Sequence, residues 1–374
     1  NIQKYNKYKK IHICEVMIKM RICSKCVLPE TTPKISFDEN GVCNFCHSFK
    51  KPNYKGEKEL IKILDAQKNK KNKYDCVVTL SGGRDSSYTI LKLVKDYHMN
   101  VLAVNFENPF TDDQAVRNIE NIKRILNVDL ISFKMKDNTF EKVFKNNVEA
   151  WFKKPSPSMV PMMCAACHMM FIDFLRIAKE NNISCIISGG NPYEYVSFKR
   201  ELLGVSHNED PNMVYIKYFF GLLRESSKNP GYFSPVCLPT MIKGYLFGNE
   251  GAIGTRILGY QMEKFQLFDY LEWNENEILS RISSELEWKY PEKLMSSWRF
   301  DCKVSHVKDL MYMKTLQMTE RDDLYAKLVR NGLMTRDEAL GRIKKENVIY
   351  YDEIKEVFLK AGIPEETIET YLKA

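Results

Sequence analysis

One stretch limits the fold more than any other: residues 74–97, YDCVVTLSGGRDSSYTILKLVKDY. Tyr74 to Leu80 is a short apolar run rich in β-formers, while Ile90, Leu93, Val94 and Tyr97 recur at helical spacing. The pattern therefore predicts a buried strand feeding an amphipathic helix. Between them lies Ser81-Gly82-Gly83-Arg84-Asp85-Ser86. Two glycines let the backbone turn tightly and approach an anion, and the helix start adds unpaired N–H groups and the positive end of its dipole. The spacing fits neither a Walker A loop nor the G-x-G-x-x-G dinucleotide fingerprint. The plain alternative is an ordinary βα turn in which glycine serves geometry and serine caps the helix.

The motif S-G-G-x-D-S resembles the pyrophosphate loop of the adenine-nucleotide α-hydrolases, which cleave ATP to AMP and pyrophosphate. That resemblance implies that Ser81, Gly82, Gly83, Asp85 and Ser86 grip the pyrophosphate, with Asp85 and Ser86 closest to the chemistry and Mg²⁺ spreading the charge. Arg84 occupies the variable position and inherits no role.

Two further features carry metal chemistry. Cys23-x-x-Cys26 and Cys43-x-x-Cys46 are paired knuckles sixteen residues apart, a spacing suited to tetrahedral Zn²⁺. Four independent buried cysteines are the alternative. With every position filled by sulfur the site has no opening for water and reads as structural. Cys164-Ala-Ala-Cys167 is less constrained: it could ligate zinc or an iron–sulfur cluster, act in redox, or be two small core residues. Cys302 is its best third partner, and Cys237 the next.

Strand and helix patterns alternate after a lysine-rich connector. The spacing predicts a helix over 57–69, strands over 100–106, 128–133 and 183–188, and a helix opened by a capping box at Thr111–Gln114. Alternation of this kind implies a doubly wound parallel α/β sheet, which binds ligands at the carboxyl ends of its strands. Ser188-Gly189-Gly190-Asn191 follows the last of these strands, and by the same resemblance Gly189, Gly190 and Asn191 face the nucleotide. Tyr195 to Gly259 lacks periodicity and reads as covering loops. The remainder reads as helical, with capping boxes at Asn274–Glu277 and Thr335–Glu338. The organisation expected is an extension over 1–19, a zinc module over 20–55, the nucleotide-binding α/β domain over 56–270 and a helical region over 271–374.

The runs RICSKCVLPETTPKISFDENGVCNFC and LYAKLVRNGLMTRDEAL are similar to the N-acetyl sugar amidotransferases, and the resemblance reaches Leu340. It implies ATP-dependent conversion of an acetamido group on a free or nucleotide-linked sugar into an acetamidino group, in surface-polysaccharide biosynthesis. No glutaminase nucleophile with matching context is visible, so ammonia is expected from a separate glutaminase. A tRNA-thiolating enzyme and a non-catalytic nucleotide-binding subunit are the rivals.

Composition narrows the partners. Lys+Arg 56 against Asp+Glu 48 gives +8, an excess gathered at Lys4–Lys19 and Lys50–Lys73. That suits a polyanionic small substrate and falls short of a nucleic-acid stripe. Eleven cysteines with C-x-x-C spacing and no membrane-length apolar run point to a reducing, cytoplasmic setting.

Overall fold

The computed structural model describes residues 20–68, 72–206, 209, 211–248 and 262–373, so the expected extension over 1–19 lies outside the described residues. Five parallel strands, β1 (Cys76–Thr79), β2 (Val101–Phe106), β3 (Asp129–Phe133), β4 (Cys185–Ser188) and β5 (Glu263–Gln266), form one sheet. Their order is β3-β2-β1-β4-β5. Strand order reverses between β1 and β4, and a doubly wound sheet opens its ligand crevice at that switch point.

Both faces of the sheet are covered, which is why its strands read as continuous apolar runs and not as alternation. Val77, Leu102 and Ile186 pack on one face against Phe174 and Leu175 of the Met170–Glu180 helix. Cys76, Val78, Ala103 and Ile187 face the other way, toward Ile90, Leu91, Ile119 and Ile122. The β1 register (Val77 opposite Leu102 and Ile186) fixes the end of this strand at the turn that follows.

Several local expectations shift. Helix Asp113–Leu126 is capped one residue later than the capping box placed it: Asp112, not Thr111, accepts from Gln114 N at 2.8 Å. Thr111 is drawn instead into an antiparallel bridge with Cys302. Asn274 and Thr335 do cap their helices. The Glu277 carboxylate, however, accepts from Tyr88 Oη at 2.6 Å instead of reaching back to the cap. The stretch read as covering loops contains the helices Ser197–Leu202, Pro211–Ser226 and Cys237–Ile242. Tyr218, Phe219 and Tyr245 there pack inward from several sides. Apolar side chains also sit on the exposed face, Phe220 at 61% and Met213 at 39%, so no single apolar stripe marks the Pro211–Ser226 helix. Residues 249–261 lie outside the described residues.

The Cys-rich module does not stand alone. Arg336 donates to the carbonyls of Cys23 and Cys26 at 3.0–3.2 Å, and Arg330 Nη1 donates to Phe45 O at 3.1 Å. Two helices of the C-terminal region, Glu320–Asn331 and Arg336–Glu346, thus hold the module from below. Gly332 at φ +80° lets the chain turn between them. Among the described residues no single helix is long and apolar enough to cross a membrane. The bent pair Pro157–Cys164 and Ala166–Glu180 has the length and composition, but Met159, Met162, Met163 and Leu175 sit in the core.

Candidate active site and metal centre

The turn after β1 is held by its own small side chains. Gly82 sits at φ +77°, and a Cβ there would lie 2.2 Å from Ala115 O. Only glycine fits. Its carbonyl accepts from Asn118 Nδ2 at 3.1 Å and Trp288 Nε1 at 3.0 Å. Ser81 Oγ and Ser86 Oγ lie 3.1 Å apart, Ser81 N donates to Ser86 Oγ and Gly83 N to Ser81 Oγ, each at 3.3 Å. Long contacts of this sort are readily exchanged for phosphate oxygens at a helix N-terminus. The helix Arg84–Leu91 begins here, so its first N–H groups point at the same space.

Asp85 is more firmly committed than a free metal ligand. Its Oδ1 accepts from Arg84 Nε at 3.0 Å and Trp273 Nε1 at 3.1 Å, and its Oδ2 accepts from Asn191 Nδ2 at 2.6 Å. Asn191 thereby ties the second glycine turn to the first. Gly189 presses on the same point, since a Cβ on it would lie 2.7 Å from the Asp85 carbonyl carbon. Arg84, to which the motif assigned nothing, is buried between Asp85 and Glu275, with its Nη1 2.6 Å from Glu275 Oε1 and its guanidinium over the Trp273 ring. It is the internal counterion that lets Asp85 and Glu275 share a dry corner.

These turns open on a cavity of about 620 Å³ at the carboxyl ends of β1 and β4. Ser81, Gly83, Asp85, Ser86, Gly189 and Gly190 line it, so all but Gly82 and Asn191 of the residues expected at the nucleotide reach its wall. Gly82 and Asn191 support that wall from behind. A volume of this size accommodates a nucleotide-sized ligand.

Sequence reasoning missed four groups on this wall. Asp301 packs against Gly83, where a Cβ would meet its Cγ at 3.1 Å, and it is hydrogen-bonded to Ser81. Burial pushes its carboxyl above the usual range. It arrives there because residues 301–303 pair antiparallel with 110–112: Asp112 N donates to Asp301 O at 3.1 Å and Lys303 N to Phe110 O at 2.9 Å. Glu194 is raised to about 7 by burial, Arg299 opposing and Asp85 and Asp301 adding to the rise. Arg299 and Lys308 complete the set. Both lean on buried Glu320, which also pairs with Lys199 at 2.5 Å and lies 3.4 Å from Lys308 Nζ. Three cations around one carboxylate leave this side of the cavity electropositive. The only sequence signal was the WRFDC run, singled out for its cysteine and not for Asp301.

Asp301, a carboxylate beside the pyrophosphate turn, is a donor of the kind Mg²⁺ uses. Asp85, with both oxygens engaged by protein donors, fits that role less well than the motif implied.

Cys164, Cys167 and Cys302 all line the same cavity. Cys302 Sγ accepts from Asn108 Nδ2 at 3.1 Å, and burial raises its thiol to about 12. The Cys164 thiol is lowered by its hydrogen bond with Cys167, against burial and with help from Lys308 and Lys199. Cys237, the alternative third partner, is elsewhere: it is buried and donates to Asn147 Oδ1 at 3.0 Å. Its spacing could not show that the Cys237–Ile242 helix turns it into the core.

The N-terminal set is different. Cys23, Cys26, Cys43 and Cys46 are fully or almost fully buried, and their four sulfurs all lie within 4.8 Å of one another. The Cys23–Cys46 and Cys26–Cys43 separations are both 3.8 Å. A tetrahedral ion with metal–sulfur bonds of about 2.3 Å sets its ligands about 3.8 Å apart, so the cage fits one mononuclear ion. Backbone N–H groups of Lys25, Cys26 and Cys43 all donate to Cys23 Sγ at 3.3–3.4 Å. Among the described residues, no second group of three or more donors is this compact.

Residues 74–210 match the model of the tRNA methyl transferase HUP domain, which spans both glycine turns. The chain is 27% identical over 172 residues to an uncharacterized protein of Methanocaldococcus jannaschii. That match covers 45% of this chain and 58% of the relative, so the chain spans little more than half of it. Among solved structures, NMN synthetase from Francisella tularensis is similar at 12% identity, with a TM-score of 0.35, over 75% of this chain and 93% of that one. The U34-tRNA thiolase NcsA from Methanococcus maripaludis, with its 4Fe-4S cluster, is similar at 15% identity and TM-score 0.32, over 84% and 88%. The turn, the strand order and the matched segment agree on a HUP-type parallel α/β fold around residues 74–210.

Proposed function

We propose that this protein is an ATP-dependent amidotransferase that converts the acetamido group of a sugar or sugar nucleotide into an acetamidino group, in surface-glycan biosynthesis. The observation that carries ATP cleavage is the meeting of the two glycine turns over one cavity, joined by the Asn191–Asp85 hydrogen bond. Support for the sugar class comes from the two runs that resemble the sugar amidotransferases: they are distant in sequence and dock on each other through Arg330 and Arg336.

An amide oxygen is a poor leaving group, so the acetamido carbonyl needs activation. Its oxygen attacks the α-phosphorus of ATP, the bond to the bridging oxygen breaks, and pyrophosphate departs. Ser81, Ser86 and the N–H groups at the Arg84–Leu91 helix start hold that leaving group. Asp301 would hold Mg²⁺, which would supply charge neutralisation on the phosphates. Ammonia adds to the imidate carbon of the O-adenylyl intermediate, AMP leaves with the former carbonyl oxygen, and one proton is lost. Glu194, raised to about 7, is placed to take it. The four-cysteine cage holds structural Zn²⁺ and takes no part in the chemistry.

Ammonia comes from a separate glutaminase. Isolated protein should therefore form product with ammonium at high pH and with glutamine only when a glutaminase is added. Incubation with Mg-ATP, ammonium and a panel of acetamido sugars and their nucleotide forms, followed by mass analysis for the acetamidino product, tests the whole reading. A second reading, tRNA thiolation, is favoured by one observation: Cys164, Cys167 and Cys302 share the ATP cavity and could hold an iron–sulfur cluster. Pyrophosphate release with tRNA and a sulfur donor but with no sugar would establish it. No pyrophosphate release with either substrate would leave a non-catalytic nucleotide-binding subunit.

A further inference from the structure

A second cavity, of about 350 Å³, lies on the far side of the second glycine turn. The two cavities are separated by the thickness of one loop. Gly190 and Glu194 face the first, whereas Pro192, Tyr193, Tyr195, Val196 and Ser197 face the second. The opposite wall is the last part of the Cys module, Phe45 to Pro52, and the floor is the Glu320–Asn331 helix through Lys327 and Arg330.

The chemistry of that wall is specific. It carries four cations, Lys50, Arg200, Lys327 and Arg330, and no lining residue is Asp or Glu. Asp323, which pairs with Lys327 at 2.9 Å, is turned into the core at 1% exposure and also accepts from Ser197 N. Arg330 is pinned by Phe45 O and Ala326 O, yet its buried Nη2 has no acceptor among the described residues. An immobilised guanidinium with a spare donor is pre-organised for an anion. Aromatic rings lie beside the charge. Phe49 lies under the Arg330 guanidinium, and Tyr195 is 53% exposed with Arg200 on its ring and its hydroxyl held by Gln266 Nε2. An exposed, fixed aromatic next to clustered cations suits a stacked heterocycle with a phosphate tail.

We infer that this second cavity binds the nucleoside diphosphate part of the acceptor, with the base on Tyr195 and the diphosphate on Arg200 and Arg330, leaving the attached sugar to pass around the Pro192–Tyr195 loop to the ATP cavity. This rests on the sugar-nucleotide form of the reading above, and it assigns the two nucleotides to two separate pockets. It also gives the Cys module a task besides stability, because Phe45 and Phe49 complete the wall.

The test is calorimetric binding of UDP, with GDP and CDP alongside, to metal-replete protein already saturated with a non-hydrolysable ATP analogue, so that the first cavity is filled. At least one of the three should bind, with inorganic phosphate far weaker. Arg200→Ala and Tyr195→Ala should each raise its Kd about tenfold while leaving the affinity for the ATP analogue unchanged. Arg330→Ala could disturb the docked module, so the two rim variants decide. If none of the three diphosphates binds, or if neither variant weakens binding, the assignment is overturned. If binding behaves as expected but no acetamido sugar nucleotide yields product, the pocket stands and the sugar-nucleotide form of the amidotransferase reading falls.

Discussion

Two sets of cysteines in one chain behave as opposites. Cys23, Cys26, Cys43 and Cys46 close on each other with 3.8 Å spacings, out of solvent, and backbone N–H groups converge on one of their sulfurs. Cys164, Cys167 and Cys302 instead stand half-buried along the wall of an open cavity, beside Lys308 and Asp301. The same C-x-x-C spacing begins both. What separates them is where the remaining donors come from. In the first set a second knuckle follows within the same small module, so the local chain closes the site. In the second, the third sulfur arrives only through the pairing of 301–303 with 110–112. A closed cage has no room for a reacting molecule, whereas an open wall does.

The comparison can be broken most forcefully at Cys43. Structural ions in small modules contribute on the order of 10 kcal/mol to folding. Cys43→Ser should remove most of the bound metal and lower Tm by about 10 °C or more, read by metal analysis and thermal melts on the same sample. Full metal occupancy in that variant would end the argument for a cage.

Next in size is the pyrophosphate turn. Ser81→Ala should reduce pyrophosphate release roughly 10- to 100-fold with Tm shifted by less than about 2 °C, because Ser81 offers a ligand and little packing. Asp85→Ala is the less discriminating variant. It would strip Arg84, Trp273 and Asn191 of a buried acceptor, so activity and fold should fall together.

Glu194 sharpens the contrast through pH. Its folded pKa is raised above the ordinary glutamate value to about 7. The folded state therefore binds the extra proton between the two values, and the associated stability is present at low pH and lost as pH rises through about 7. Glu194→Gln should consequently raise stability at pH 8 by about 1–3 kcal/mol and change little at pH 4. Denaturant titrations at both pH values measure it. An equal effect at both would mean that Glu194 is not the buried titrating group.

The smallest effect belongs to the open set. Cys164→Ser should move Tm by no more than about 2 °C. A loss of stability matching that of Cys43→Ser would erase the distinction. Iron content after anaerobic purification, with and without the substitution, reports whether these sulfurs hold a cluster.

How much of this was legible follows the same division. The turn at Ser81–Ser86 and the paired knuckles could be read because each function is complete within a few consecutive residues. The parallel sheet could be read because alternation of strand and helix leaves few topologies. Asp301, Glu194, Arg299 and Lys308 could not, since none belongs to a local pattern and each reaches the cavity through tertiary pairing. Arg84 was passed over for the opposite reason: a motif's variable position says nothing about the ion pair this chain builds there with Glu275. The helices at 197–242 were hidden because apolar side chains such as Met213 and Phe220 also lie on exposed faces and blur the stripe.

The docking of the Cys module on the C-terminal helices also has a consequence in time. Arg336 grips Cys26 across a sequence separation of 310 residues. At ribosomal rates of about 5–20 residues per second, the module emerges roughly 15–60 s before its seat exists. During that interval nothing from the Arg336–Glu346 helix can shield it, and four exposed thiols would be open to oxidation. A cage that closes on an ion from within residues 20–55 lets this earlier-made part of the chain wait as a finished piece, so metal uptake should precede docking. Ribosome-stalled chains ending before residue 320 should already protect Cys23 and Cys43 from alkylation when the ion is supplied.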